Sequence, residues 1–238
     1  MKNHTLPETM HSAGSADRGS MPNLTAPCTR SSDRGASAPF APTAQPPVTP
    51  LDPMHARSLV GLADLPTIVA IGPFDDRAHA QQLAAAFIAV RQHCKAQLVL
   101  VGTGVQRTAL MQSTSATGFG SNVHAVEDSW GDQWLNLVAA ADLVALSSSA
   151  ATSTLLDVLA AGRPVVAPAD PDTVQLVVSG IAGLVYRPGD VSGMEGALLR
   201  LLTTPVLRRG MGGRARQVAR RHHLELSMRN QCDEGKRK

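Results

Sequence analysis

Six short runs of aliphatic and β-branched residues recur between positions 67 and 187: Thr67–Gly72 (TIVAIG), Gln97–Gly102 (QLVLVG), Asn122–Val126, Leu143–Ser147, Pro164–Ala169 and Gly183–Arg187. They show little polar alternation, so each needs cover on both faces, as buried parallel strands do. The stretches between them read as helices. In His79–Cys94 the apolar positions Leu83, Ala86, Phe87 and Val90 share one helical face. Val105–Ala116 is a weaker helix, and Trp130–Ala141, Thr152–Ala161, Asp172–Ser179, Val191–Thr203 and Pro205–His222 supply the others. Right-handed crossovers between such strands predict a doubly wound α/β domain, Rossmann-like, on a six-stranded parallel sheet. About 160 residues suffice for one core of this kind.

The flanks differ in character. Positions 1–53 hold nine of the sixteen prolines, with Ser, Thr, Gly and Ala filling much of the rest. That composition buries too little apolar surface to offset the entropy of ordering. The expected organisation is a disordered Pro/Ser/Thr/Ala-rich tail over 1–53, one domain over 54–224, and a basic disordered C-terminus over 225–238. Aromatic residues are 3% and charged residues 17% of the chain, so the core must be aliphatic and Ala-rich. Collagen-like, coiled-coil and disulfide-stapled architectures are excluded.

Met1–Ser12 lacks an apolar stretch, and no run of about 18 apolar residues occurs, so neither a secretory signal nor a membrane span is expected. Cys28, Cys94 and Cys232 lie far apart. They fit neither a zinc site nor a disulfide framework, and they agree with a reducing, cytoplasmic setting. The net charge of +3 conceals an asymmetry: residues 207–238 hold ten Lys/Arg against three Asp/Glu. Such a stretch is either a solvated helix face or a surface for nucleic acid or an anionic membrane.

Ligands of doubly wound sheets bind at the carboxyl ends of the strands, so the loops after Gly72, Gly102, Val126, Ser147 and Ala169 are the places to look. Gly102-Thr103-Gly104 begins like a dinucleotide fingerprint, but Arg107 stands where the third glycine belongs. It is either a backbone approach to phosphate or ribose, or a plain strand-to-helix turn. Ser147-Ser148-Ser149-Ala150-Ala151-Thr152-Ser153-Thr154 opens a helix with small residues. Free N–H groups and a positive dipole end there suit an anion, and a hydroxyl-capped helix is the alternative. Asp157, on the same helix among Leu155, Leu156, Val158 and Leu159, is a candidate acceptor for ribose hydroxyls or a capping or solvated acid. Arg77, after Asp75 and Asp76, is a candidate diphosphate clamp or a surface partner of those acids. Asp170-Pro171-Asp172 reads as a turn, with Asp172 capping the next helix, rather than as a metal-binding pair. The histidines have no ligand spacing backed by Cys or carboxylates, so neither a metal nor a cofactor is expected.

Taken together, IVAIGPFDDRAHAQQLAAAF, LVLVGTG, LVAAADLVALSSS, LLDVLAAGRPVVAP, GIAGLVYRPGD and LRRGMGGRARQVA resemble the donor-binding C-terminal half of retaining, nucleotide-sugar-dependent glycosyltransferases of the B-type fold (glycosyl transferases group 1, family 4). The resemblance runs from about Pro66 to Arg221. It implies binding of a UDP-, GDP- or ADP-linked sugar without metal, and transfer with retention. By the resemblance, Gly102, Thr103 and Gly104 lie near the nucleotide, the loop after Val126 beside the base, and the amides of Ala150, Ala151 and Thr152 toward the diphosphate. The family's ribose-binding glutamate maps onto Asp157, and its sugar-facing glutamate onto Ser149. Its cations after the first strand map near Pro73 and Ala78, which leaves Arg77, one residue off register.

Lost charges of this kind typically lower rate about 10²–10³-fold each. The acceptor domain of such enzymes needs well over a hundred residues, which the polar N-terminal stretch does not supply. The resemblance therefore implies a hexosyltransferase half that depends on a missing or separate acceptor domain, with a second chain as the partner that supplies it. The alternative is a catalytically inactive binding or assembly module on the same fold. A nucleic-acid or membrane role through the basic C-terminus is the third expectation, and the shortage of aromatic residues for base stacking disfavours nucleic acid.

Overall fold

The computed structural model describes residues 52–126, 133–147, 150–178 and 181–235. Strands β1 (Thr67–Ile71), β2 (Gln97–Val101), β3 (Val123–Val126), β4 (Leu143–Leu146), β5 (Val165–Pro168) and β6 (Gly183–Tyr186) form one sheet in the order β3-β2-β1-β4-β5-β6, with every neighbouring pair parallel. Every residue of β1, β2, β4 and β5 is buried, which explains why those runs lack polar alternation. The helices are α1 (Pro53–Leu59), α2 (Arg77–His93), α3 (Arg107–Ala116), α4 (Gln133–Ala140), α5 (Thr152–Ala160), α6 (Pro171–Thr173), α7 (Val191–Thr203) and α8 (Pro205–Gly235).

The pleat divides the core in two. Ile68, Ala70, Leu98, Leu100, Leu143 and Ala145 face α2, α3 and α7, where they meet Leu83, Phe87, Leu110, Met194 and Leu198. Val69, Ile71, Val99, Val101, Val144 and Leu146 face α1, α4 and α5, against Ala56, Val138, Leu155, Val158 and Leu159. Helix α8 reaches both halves, through Met211 on one side and Ala215 and Ala219 on the other.

The doubly wound six-stranded parallel sheet is thus as predicted, and three local readings need correction. First, α1 stands where no helix was expected. Asp52 accepts from the His55 amide at 3.3 Å, Pro53 occupies the first turn, and Arg57 is buried. Second, α6 is a single turn that continues into a π turn over Val174–Val178, and Asp170 caps it, not Asp172. Pro171 lacks an N–H and suits the first helical position, so the capping residue is the one before it. Third, α8 runs to Gly235, into the segment read as a disordered tail. Leu224, Leu226, Met228, Arg229, Gln231 and Glu234 are good helix formers, and no proline interrupts them. The start of the helix expected at Trp130–Ala141 lies outside the described residues.

A buried ionic cluster ties the amino edge together. Asp142, just before β4, accepts from the Thr67 amide at 2.8 Å, from Arg57 Nη2 at 2.6 Å and from Arg208 Nη2 at 3.1 Å. Arg57 also donates Nε–H to the Ala140 carbonyl at 3.1 Å and pairs with Asp64 at 2.9 Å. Arg208 donates to the Leu201 and Leu202 carbonyls at 3.0 Å, closing the end of α7. Asp142 is 8% exposed, and deleting one member of such a buried set strands the remaining charges. Asp142→Ala should therefore lower unfolding free energy by about 3–5 kcal/mol, read as a shift of the urea midpoint.

Candidate functional site

The strand order reverses between β1 and β4, and ligands of open α/β sheets bind at the carboxyl end of that gap. There the Ser147 amide donates to the Ile71 carbonyl at 3.1 Å, holding the ends of β4 and β1 side by side. The Ala150 amide then turns back to the Ser147 carbonyl at 3.2 Å. Helix α5 starts at Thr152 with Ala151 in the capping position and no side-chain cap. The amides of Ala151, Thr152, Ser153 and Thr154 meet no acceptor among the described residues. They form the positive end of the helix dipole. Ser148 and Ser149, the latter a sequence candidate, lie outside the described residues, as does the loop after Val126 up to position 132.

The Thr152 hydroxyl donates to Asp172 Oδ2 at 3.0 Å, linking the start of α5 to α6. Thr173 N–H and Oγ1–H both donate to Asp170. The two carboxylates of Asp170-Pro171-Asp172 are therefore engaged in local structure. No cluster of three His, Cys, Asp or Glu suited to a metal exists among the described residues.

The glycine turn has a packing partner. Gly102 and Gly104 have φ of +117° and +147°. A Cβ on Gly104 would collide with the Phe74 backbone carbonyl. That close approach lets Phe74 N–H donate to the Thr103 carbonyl and Gln106 N–H donate to the Phe74 carbonyl, both at 2.9 Å. Arg107 Nη1 reaches the Gly102 carbonyl at 3.1 Å. Among the described residues, then, these glycines serve the docking of the β1–α2 loop. Thr103 is exposed beside it.

Arg77 is the first residue of α2 and is exposed. It lines a cavity of about 280 Å³ between α2 and α3, with Gln81, Gln106, Gln112 and Ser113. The neighbouring acids do other work: Asp76 caps α2 through the Ala78 amide at 2.8 Å, and Asp75 accepts from the Val105 amide at 3.2 Å. His79, buried in the first turn of α2, is pushed toward its neutral form by burial, against the pull of Asp76.

Asp157 sits on α5, half-buried beside Leu155, Val158 and Leu159. Burial raises its pKa, and its carboxylate has no hydrogen bond or ion pair among the described residues. Ser147, which the sequence marks only as the first of the small residues that open α5, has a buried Oγ that likewise meets no partner among the described residues. Phe74 was missed because its partners are backbone atoms of another loop, and Arg107 because its partner is the Gly102 carbonyl of its own loop.

A reversed strand order with an uncapped helix start at the β1/β4 gap defines a Rossmann-type α/β domain. The sequence model of the glycosyl transferases group 1 family matches residues 65–204. The chain belongs to that family, so the resemblance seen in the six sequence blocks is borne out. Sucrose-phosphate synthase from Thermosynechococcus elongatus is similar in structure, with TM-score 0.64, 23% identity and coverage of 76% of this chain and 48% of that one. WaaG, a glycosyltransferase involved in lipopolysaccharide biosynthesis, has TM-score 0.61, 22% identity and coverage of 72% and 47%. Anabaena Alr3699/HepE, solved with UDP and glucose, has TM-score 0.60, 19% identity and coverage of 72% and 48%. The chain thus spans about half the length of each. No curated protein sequence matches it.

The raised pKa of Asp157 has a testable sign. The folded carboxyl holds its proton more tightly than the unfolded one, so ionising it weakens the fold as pH rises through the raised value. Asp157→Asn should therefore melt higher than the unmodified chain at pH 7, and the difference should vanish as pH falls below the ordinary Asp range. Thermal melts across pH check this.

Proposed function

We propose that this chain binds a nucleoside-diphosphate sugar at the carboxyl edge of its sheet and takes part in transferring the sugar with retention of configuration. The observation that carries this reading is the set of amides at the start of α5 that meet no acceptor among the described residues, placed beside the β1/β4 gap. When the bond between the sugar and the diphosphate breaks, negative charge grows on the departing phosphate. Oriented amides and a helix dipole stabilise such charge without reorganising. In this reading Ala151 and Thr152 hold the diphosphate, with Ala150 and Ser149 in the loop that leads to them. Asp157 accepts from ribose hydroxyls. Gly102, Thr103 and Gly104 shape the neighbouring wall, and Arg77 supplies the cation that Pro73 and Ala78 lack. The transfer uses no metal. The sugar's acceptor is held by a second domain or a second chain.

Family membership supports nucleotide-sugar transfer as the chemistry, and Alr3699/HepE was solved with UDP and glucose. A second reading, binding without turnover, draws on the absence of basic residues at Pro73 and Ala78. A binding panel and a turnover assay test the two readings. In a thermal-shift panel of UDP-, GDP- and ADP-sugars with the full chain, one nucleotide class should raise the melting temperature with concentration, because it binds only the folded state. Asp157→Ala should weaken that ligand at least about tenfold, the loss of one charge-assisted hydrogen bond. A folded protein that shifts with none of them contradicts the reading, and donor turnover by the unmodified chain contradicts the second.

A further inference from the structure

Helix α8 carries a basic face that nothing else in the described structure uses. Arg208 and Arg216 are turned inward: Arg208 pairs with Asp142, and Arg216 reaches the Ala161 carbonyl. Met211, Gly212, Ala215 and Ala219 fill the buried side. On the opposite side Arg209, Arg214, Arg220 and Arg221 are all exposed. None of the four forms an ion pair or hydrogen bond among the described residues. No acid occurs on α8 before Glu225. Two large apolar side chains share the exposed arc, Val206 at 73% and Leu224 at 61% exposure.

At 100° per residue these positions span less than half the helix circumference, and from Val206 to Leu224 the face is about 27 Å long. The anchors that fix α8, through Arg208 and Arg216, lie at the amino edge of the sheet.

We propose that this face of α8 docks on the surface of an anionic lipid bilayer. Four exposed arginines against the one acid beside them, Glu225, leave this face with net positive charge, which is complementary to anionic headgroups. Exposed aliphatic side chains at both ends of a basic helical face suit the boundary between headgroups and acyl chains. Nucleic acid fits less well, because the face offers arginines without an aromatic platform for bases. This inference is independent of the nucleotide-sugar reading.

The test uses the full chain and vesicles of phosphatidylcholine alone or with 30% phosphatidylglycerol, followed by co-flotation at low and high salt. The chain should float with the anionic vesicles at low salt, and not with neutral ones. R209Q/R220Q should lower the partition coefficient about 25-fold, about fivefold per arginine. Leu224→Ser should lower it further without changing the salt dependence. Melting curves of the variants serve as the folding control, and all three positions are exposed, so they should match the unmodified chain. Absence of flotation with anionic vesicles overturns the proposal, as does flotation that the arginine variant leaves unchanged. Binding of a 20-nucleotide RNA by the same arginines without vesicle binding would assign the face to nucleic acid and also overturn it.

Discussion

Asp142 stands at the one place in the sheet where sequence neighbours cannot set the register. Strands β1 and β4 lie side by side but are joined through two other strands and their helices. The Asp142 carboxylate takes the Thr67 amide at the start of β1 and the guanidinium groups of Arg57 and Arg208 from α1 and α8. With the amino ends pinned, Ile68 pairs with Leu143 and Ile71 with Leu146. Ser147 then falls beside Ile71 at the carboxyl end, and α5 starts over the gap. The ionic cluster at one edge therefore fixes the geometry of the candidate site at the other. A carboxylate in that position also gains hydrogen bonds that satisfy its oxygens, which a bare buried ion pair lacks.

The carboxyl edge is built on the opposite logic. It leaves polar groups unpaired. Among the described residues the first amides of α5 meet no acceptor, the Ser147 hydroxyl has none, and the half-buried Asp157 carboxyl has no partner. The buried Ser147 hydroxyl and the half-buried Asp157 carboxyl cost stability while unpaired. Each becomes favourable when an anion and hydroxyl groups fill the gap, so the arrangement suits a ligand that carries both. A nucleoside diphosphate sugar does.

The strands were legible in the sequence because burial on both faces leaves an unmistakable run of aliphatic residues, as in TIVAI and QLVLV. Helix α2 was legible through the spacing of Leu83, Phe87 and Val90 on its buried face. What stayed hidden depended on distant partners. Arg57 and Thr67 lie 85 and 75 residues from Asp142, and no local pattern announces such a pairing, so α1 was missed with it. The glycine turn could be read as a turn or as a ligand approach, and only its contact with the Phe74 backbone revealed the packing role. Of the candidate site, the small-residue start of α5 and the acid at Asp157 were visible from type and spacing. That the Ala150 amide is occupied by Ser147 was not, because it depends on how the chain turns out of β4.

The central claim is that the start of α5 receives the diphosphate. Amide hydrogen exchange over residues 150–158, with and without the nucleoside diphosphate that raises the melting temperature most, tests it directly. Slowed exchange at Ala151–Thr154 in the bound state is the predicted result. A nucleotide that stabilises the fold while leaving those amides unchanged would contradict it.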